Sequence, residues 1–319
     1  MLFIHYYNRI FSIKFIKLMS STSVKPKIRP FRFRHSSRSL KFSTGMALES
    51  NKEIMEKIIS FNLLPIKLCY SLKEFQNKEF RPYMEDYTLI SQNIDNDPNK
   101  SLFCVFDGHG GSLSAEICKN NIIEVFTNNL RKNINNIPQC FIDTFNDLDE
   151  LCLKSNCIEV GNTATVVFIN DKKLYCGNVG DSSAVIVYNE EVMKITYNDR
   201  CDDVEEKNRI LKAGGKIINK KLNDILCVTR AIGDFDLKQK GLINVPHLYR
   251  REITYSDKYV IIASDGIWDV VTNEMILNII HSCKNCNDIC GKITNIAINL
   301  GSHDNISCIV ISFHEELHD

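Results

Sequence analysis

Leu102-Phe-Cys-Val-Phe-Asp-Gly-His-Gly-Gly111 is the stretch on which the reading of this chain turns. Five apolar residues, rich in β-formers, read as a strand. The run ends on Asp107, and glycines at 108, 110 and 111 follow around His109. A carboxylate at a strand end is most often a turn former or a helix cap. Glycines beside it have no Cβ to hold the backbone away from a ligand, so main chain and carboxylate together can approach an ion closely.

Outward from this stretch the pattern repeats. Short β-rich runs recur at 101–107, 164–169, 173–179, 184–188, 259–264 and 306–313. Between them lie stripes of helical period. Cys118, Ile122, Val125, Phe126 and Leu130 form one, and Phe141, Phe145, Leu148 and Leu151 a second. Thr272 is placed to cap a helix carrying Ile276, Ile279, Ile280 and Cys283. Gly301 is placed to stop another carrying Ile289, Ile293, Ala297 and Leu300. Several strands follow one another with no helix between, which predicts an α+β fold with antiparallel sheets rather than a doubly wound one. The Asn-rich stretches 93–99 and 133–136 read as loops.

Composition divides the chain unevenly. Ten of the 39 Lys and Arg lie in residues 1–48, which contain no Asp or Glu, so the remainder sets 29 basic residues against all 39 acidic ones. The leader has the Arg-, Lys- and Ser-rich, acid-free composition of an organellar transit peptide, mitochondrion-like in character. A disordered basic tail, or a start at Met19 or Met46, is the alternative and leaves the protein in cytoplasm or nucleus. Arg9, Lys14 and Lys17 interrupt every apolar run there, so neither a signal-peptide core nor a membrane span fits. The acidic body is a poor nucleic-acid binder by charge. Thirteen cysteines, odd in number and irregularly spaced, read as a reduced intracellular set. His281, Cys283, Cys286 and Cys290 cluster, but no second CxxC pair accompanies them, so packing on one helix face is the better reading than zinc.

The acids are the informative feature. Asp265 ends the run Val260-Ile-Ile-Ala-Ser264 and precedes Gly266; Asp181 follows Gly177-Asn-Val-Gly180; Asp304 stands between a helix stop and the last strand; Glu85 and Asp86 follow Arg81. Any one of these has an ordinary structural explanation. Five acidic sites at strand ends and glycine turns would bury much negative charge, which is unfavourable unless cations neutralise it. Donor sets made only of oxygen suit Mg²⁺ or Mn²⁺ rather than zinc. Two such ions can activate water and clamp a phosphoryl group. No P-loop is present, and 108–111 lacks the dinucleotide-binding spacing. Read from its residues alone, the chain reaches metal-assisted hydrolysis or phosphoryl transfer and no further.

At these same residues the sequence resembles the type-2C (PPM) protein phosphatases. Arg81-Pro-Tyr-Met-Glu-Asp86 resembles the family's R-x-x-M-E-D. Phe106-Asp-Gly-His-Gly-Gly111 resembles F-D-G-H-G-G, and Gly161-Asn-Thr-Ala164 resembles G-[ST]-T-A. Asn178-Val-Gly-Asp-Ser182 matches N-x-G-D-S, and Val228-Thr-Arg-Ala-Ile-Gly-Asp234 resembles V-S-R-A-[FL]-G-D. Ala263-Ser-Asp-Gly-Ile-Trp-Asp269 and Gly301-Ser-His-Asp-Asn305 match the last two motifs. All seven occur in family order, over residues 65–315.

The resemblance implies a four-layer α/β/β/α sandwich with two central antiparallel sheets and a dinuclear Mg²⁺ or Mn²⁺ site at one end. It implies that Asp107 bridges the ions, that Glu85 and the Gly108 carbonyl complete one, and that Asp265 and Asp304 complete the other. Asp86 would hold metal-bound water, and Asp181 with Asp265 would form a weaker third-metal site. Arg81 would grip phosphate through its planar fork. His109 would protonate the leaving oxygen. A metal-activated water would attack phosphorus with no phosphoenzyme intermediate. Substrates would be phosphoserine and phosphothreonine proteins, and the protein would act as a monomer. The rival from another class is a pseudophosphatase, a binding module that has lost its metal acids; here Glu85, Asp107, Asp265 and Asp304 are all present. A small phosphate ester as substrate is the third reading. One departure stands out: where the family has D-H-x-P, this chain reads Asp199-Arg-Cys-Asp202. Glu205, Arg209 and Gly214-Gly215 beyond it do fit, and a locally altered flap is expected over 215–229.

Overall fold

The computed structural model describes residues 66–314 together with Met55, Lys57, Ser60 and Phe61. The basic stretch 1–48, and with it the transit-peptide reading, lies outside the described residues. The strands form two main antiparallel sheets. One has the order β1 (Cys69–Phe75), β14 (Ile306–Ser312), β13 (Asp257–Ala263), β7 (Ser183–Tyr188), β8 (Glu191–Lys194). The other runs β11 (Ile232–Gly233), β4 (Gly161–Asn162), β3 (Lys100–His109), β5 (Ala164–Asn170), β6 (Lys173–Val179), β12 (His247–Glu252), with β2 (Asp86–Gln92) also paired to β3. A small hairpin of β9 (Ile217–Ile218) and β10 (Lys221–Leu222) stands apart in the segment expected to form a flap.

Alternation along the strands builds the layers. On β3, Phe103 and Val105 face the other sheet and pack in one core with Ile186, Val260, Ile262, Ile309 and Ile311. Leu102, Cys104 and Phe106 point the opposite way, against α1 (Leu113–Lys132) and α2 (Ile137–Lys154) through Ile122, Phe126, Phe141 and Phe145. The outer face of the first sheet, carrying Val185, Ile261 and Val310, is covered by Ile276 and Ile279 of α6 (Asn273–His281) and by Ile289 and Ile293 of α7 (Cys286–Asn299). Three shorter helices lie between these pairs: α3 (Val204–Lys212), α4 (Phe235–Lys238) and α5 (Asp265–Trp268). The order helix, sheet, sheet, helix is the expected sandwich.

Local signals behave as their chemistry dictates. The Thr272 side chain accepts from Met275 N at 3.3 Å and starts α6. Gly301, at φ 80°, follows the end of α7. The runs read as strands all occur. Besides the two-residue strands β4, β9, β10 and β11, the strands that sequence did not announce are β1, β2, β8 and β12, each at a sheet margin and partly exposed; β12 reads His247-Leu-Tyr-Arg-Arg-Glu252. Edge strands carry charge that blunts further pairing, and this hides them from an apolar-run reading. The cysteine group is helix packing: the Cys290 thiol sits 3.3 Å from the Cys308 carbonyl, and His281 pairs with Glu190.

Candidate active site

The acids converge because of strand register and connection. Asp86, first residue of β2, lies directly opposite Asp107 of β3. The β6–β7 turn crosses from one sheet to the other and carries Asp181. Asp265 opens α5 where β13 ends, and Asp304 leads into β14 beside it. Gly266 permits that approach, since a Cβ there would collide with the Asn305 carbonyl. Gly108 N donates to the Glu85 carbonyl at 3.2 Å, tying the Arg81–Asp86 loop to the end of β3.

The carboxylates repel one another. Burial pushes Asp107 well above the carboxylate range, and Asp86, Asp265, Asp181 and Asp304 each push it further. Burial raises Asp265 to about 8, helped by Asp181, Asp304, Asp269 and Asp86. Asp86 rises to about 6 through burial, although Ser264 Oγ donates to it at 2.8 Å. Ser182 Oγ donates to Asp107 at 3.2 Å. Buried carboxylates crowded together in this way form a set of oxygen donors that hard cations would stabilise, so the residues present fit Mg²⁺ or Mn²⁺.

Arg81 pairs not with its neighbours Glu85 or Asp86 but with Asp304, and 40% of its side chain is exposed at the rim. The His109 imidazole lies 2.7 Å from the Asp234 carboxylate. Thus all nine residues singled out from sequence (Arg81, Glu85, Asp86, Asp107, Gly108, His109, Asp181, Asp265 and Asp304) fall at one end of the sandwich.

Other residues of the site were not foreseen. Asn305 accepts from Glu85 N at 2.8 Å and donates to the carbonyls of Gln76 and Tyr83 at 2.7 and 3.1 Å, so it fastens the 76–85 loop to the strand end carrying Asp304. Asp199 accepts from Gly180 N at 2.8 Å and holds the turn that presents Asp181. Arg200 reaches Asp181, Asp269 and Asp265 at 2.8, 3.0 and 3.9 Å. The only signal for Arg200 in the sequence was the departure from D-H-x-P.

A separate group, Asp199, Glu206 and His247, brings three ligand atoms within 4.8 Å of one another. It already holds cations of its own: Arg230 lies 2.6 Å from Glu206 and 3.4 Å from Asp199, and Arg209 is 2.6 Å from Glu206. These guanidiniums make it a structural ion-pair network rather than a metal centre.

Known proteins resemble this chain in sequence and in fold. The sequence model of the family Protein phosphatase 2C matches residues 70–306. The chain is 32% identical over 254 residues to a probable protein phosphatase 2C 56 of Oryza sativa subsp. japonica, covering 78% of this chain and 71% of that protein. It is 31% identical over 304 residues to an integrin-linked kinase-associated serine/threonine phosphatase 2C of Bos taurus, covering 80% and 82%. Among solved structures, a C. elegans sex determining protein superposes with a TM-score of 0.69 at 23% identity, over 88% of this chain and 77% of that one. A serine-threonine phosphatase 2C from Toxoplasma gondii superposes with a TM-score of 0.68 at 20% identity, over 79% and 98%. Among the described residues no helix is long and apolar enough to cross a membrane.

Proposed function

The chain belongs to the protein phosphatase 2C family, whose members are metal-dependent serine/threonine phosphatases, and on that premise we propose that it hydrolyses phosphoserine and phosphothreonine in proteins with two divalent ions and no phosphoenzyme intermediate. The observation that carries this reading is the convergence of Asp86, Asp107, Asp181, Asp265 and Asp304 at one end of the sandwich, where burial and the neighbouring carboxylates push Asp107 well above the carboxylate range. Asp107 would hold both ions, Glu85 and the Gly108 carbonyl one of them, and Asp265 and Asp304 the other. Two Mg²⁺ or Mn²⁺ ions there supply an activated water and neutralise charge on the phosphoryl group.

The side chains of the site carry the remaining tasks. Arg81 is exposed at the rim, and its planar guanidinium suits two phosphate oxygens at once. Asp86, held by Ser264, accepts hydrogen bonds from water in the cluster. His109, with Nε2 engaged by Asp234, donates a proton from Nδ1 to the departing serine or threonine oxygen, which would otherwise leave as a poor alkoxide. No Ser or Cys nucleophile is needed, because water is the attacking group.

The test is hydrolysis of phosphoserine and phosphothreonine peptides by the purified protein. EDTA should abolish it, and millimolar Mg²⁺ or Mn²⁺ should restore it. Asp107→Asn should be the most damaging conservative change, since one carboxylate serves two cations. Full turnover in excess chelator, or normal turnover by Asp107→Asn, would overturn the reading.

A further inference from the structure

Arg200 is the one basic side chain whose guanidinium joins three acids at this end of the sandwich among the described residues. Its Nε lies 2.8 Å from Asp181 Oδ2, and its Nη2 lies 3.0 Å from Asp269 and 3.9 Å from Asp265. The backbone fixes it there. Arg200 bridges Val228 in antiparallel fashion, and Thr229 N donates to the Asp199 carbonyl at 2.7 Å. Asp199 and Arg200 thereby grip the two sides of one turn: Asp199 takes the Gly180 N–H, and Arg200 takes the Asp181 carboxylate.

Charge shows what this grip does. Two divalent ions balance the four acids assigned to them, Glu85, Asp107, Asp265 and Asp304. Asp86 and Asp181 are left over; Asp86 accepts from Ser264 Oγ, while Asp181, with its side chain only 6% exposed, needs a cation. The resemblance to the family suggests a third metal ion between Asp181 and Asp265, but in this chain a side chain is already there. A divalent ion at that place would have to expel a guanidinium held by two short charge-assisted bonds, leaving Asp269 without its partner. Mg²⁺ and Mn²⁺ bound through one or two carboxylates keep most of their waters and compete weakly with such a pair.

Resting on the dinuclear reading above, we propose that Arg200 is a permanent counter-cation of the acidic cluster, which takes Asp181 and the outer side of Asp265 and limits the site to two divalent ions. The substitution in the D-H-x-P segment is then not a lesion of the flap. It replaces an exchangeable ion by a fixed charge, and the outer part of the site no longer depends on metal concentration.

Metal counting tests this without reference to turnover. The full chain is titrated with Mn²⁺, and the free ion is followed by electron paramagnetic resonance. The wild-type protein should take up two equivalents. Arg200→Gln should take up three, and Arg200→Gln combined with Asp181→Asn should return to two. Circular dichroism melts report folding, and Arg200→Met replaces the Gln variant if that one fails to fold. Three equivalents in the wild type would overturn the proposal, as would two in both the wild type and the Arg200 variants. Fewer than two in the wild type would instead overturn the dinuclear reading, and this proposal with it.

Discussion

His109 Nε2 and Asp234 Oδ2 meet at 2.7 Å across 125 residues of sequence, with the Asp234 side chain only 5% exposed. Asp234 is held in the left-handed region at φ 51°, between β11 and α4, and its backbone N donates to the Val160 carbonyl at 3.1 Å. The carboxylate engages Nε2 and so fixes the ring's orientation. In the proposed mechanism His109 is the donor, through Nδ1, and Asp234 its positioning partner.

Two substrates separate these roles. A phosphoserine peptide releases an alkoxide and needs an acid; an activated aryl phosphate releases a stabilised phenolate and needs it far less. His109→Gln should lose roughly 10²–10⁴-fold in kcat on the peptide, the usual range for general acid catalysis, and much less on the aryl ester. Asp234→Asn should show the same pattern with a smaller loss. Equal losses on both substrates would mean that His109 organises the metal acids instead.

Gly161 makes the His109–Asp234 pair possible. A Cβ at this position would collide with both Asp234 Oδ2 and His109 Nε2. Gly161→Ala should fold, because position 161 lies in regular strand pairing with Gly233 and with His109. It should nonetheless lose peptide hydrolysis to about the extent of Asp234→Asn while keeping Mn²⁺ uptake. Loss of Mn²⁺ uptake in a folded Gly161→Ala protein would show that the collision disturbs the β3 end rather than the pair.

How much of this was legible in the sequence follows from what kind of signal each feature leaves. Central strands such as β3 and β14 are apolar on both faces and announce themselves; β12 and β1, at sheet edges, alternate or carry charge and do not. Asp107, Asp181 and Asp265 were legible because each ends an apolar run or follows a glycine turn, whereas Glu85 stood out only through the resemblance of its motif. Their supports were not, because a hydrogen-bond partner leaves no local pattern: Asn305 reaches 220 residues back to Glu85, and Ser264 reaches 178 residues back to Asp86. Arg81 shows the limit most clearly, since its acidic neighbours in sequence are not the acid it pairs with.

Glu206 gives a stability prediction away from the metal acids. Burial would raise its carboxyl, but hydrogen bonds from Arg230, Arg209 and Thr229 outweigh burial and hold it down to about 2. A group depressed in the folded state stabilises above its unfolded value, near 4.5, and that contribution fades as pH falls towards 2. Glu206→Gln should therefore destabilise the protein at pH 7 by on the order of 3 kcal/mol in urea unfolding. The difference between the two proteins should shrink as pH is lowered from 5 to 3. A constant difference across that range would show that the loss comes from packing and not from the carboxylate.

Arg81 and Asp304 offer the sharpest test of phosphate binding. Their ion pair allows two roles for the arginine: to await the substrate phosphate, or to hold Asp304 in place. The two roles move different quantities. If Arg81 binds phosphate, Arg81→Ala loses a bidentate charge-assisted contact of about 1.5–3 kcal/mol, and KM for a phosphopeptide should rise about tenfold to a hundredfold. Mn²⁺ affinity should hold or improve, because a cation that competes for Asp304 has been removed. Arg81→Lys should recover little, since an ammonium keeps the charge without the planar fork. If Arg81 instead only holds Asp304, the same variant should leave KM near its wild-type value and weaken Mn²⁺ uptake. KM from initial rates and Mn²⁺ titration on the same preparations decide between them, and the expectation is a raised KM with metal binding intact.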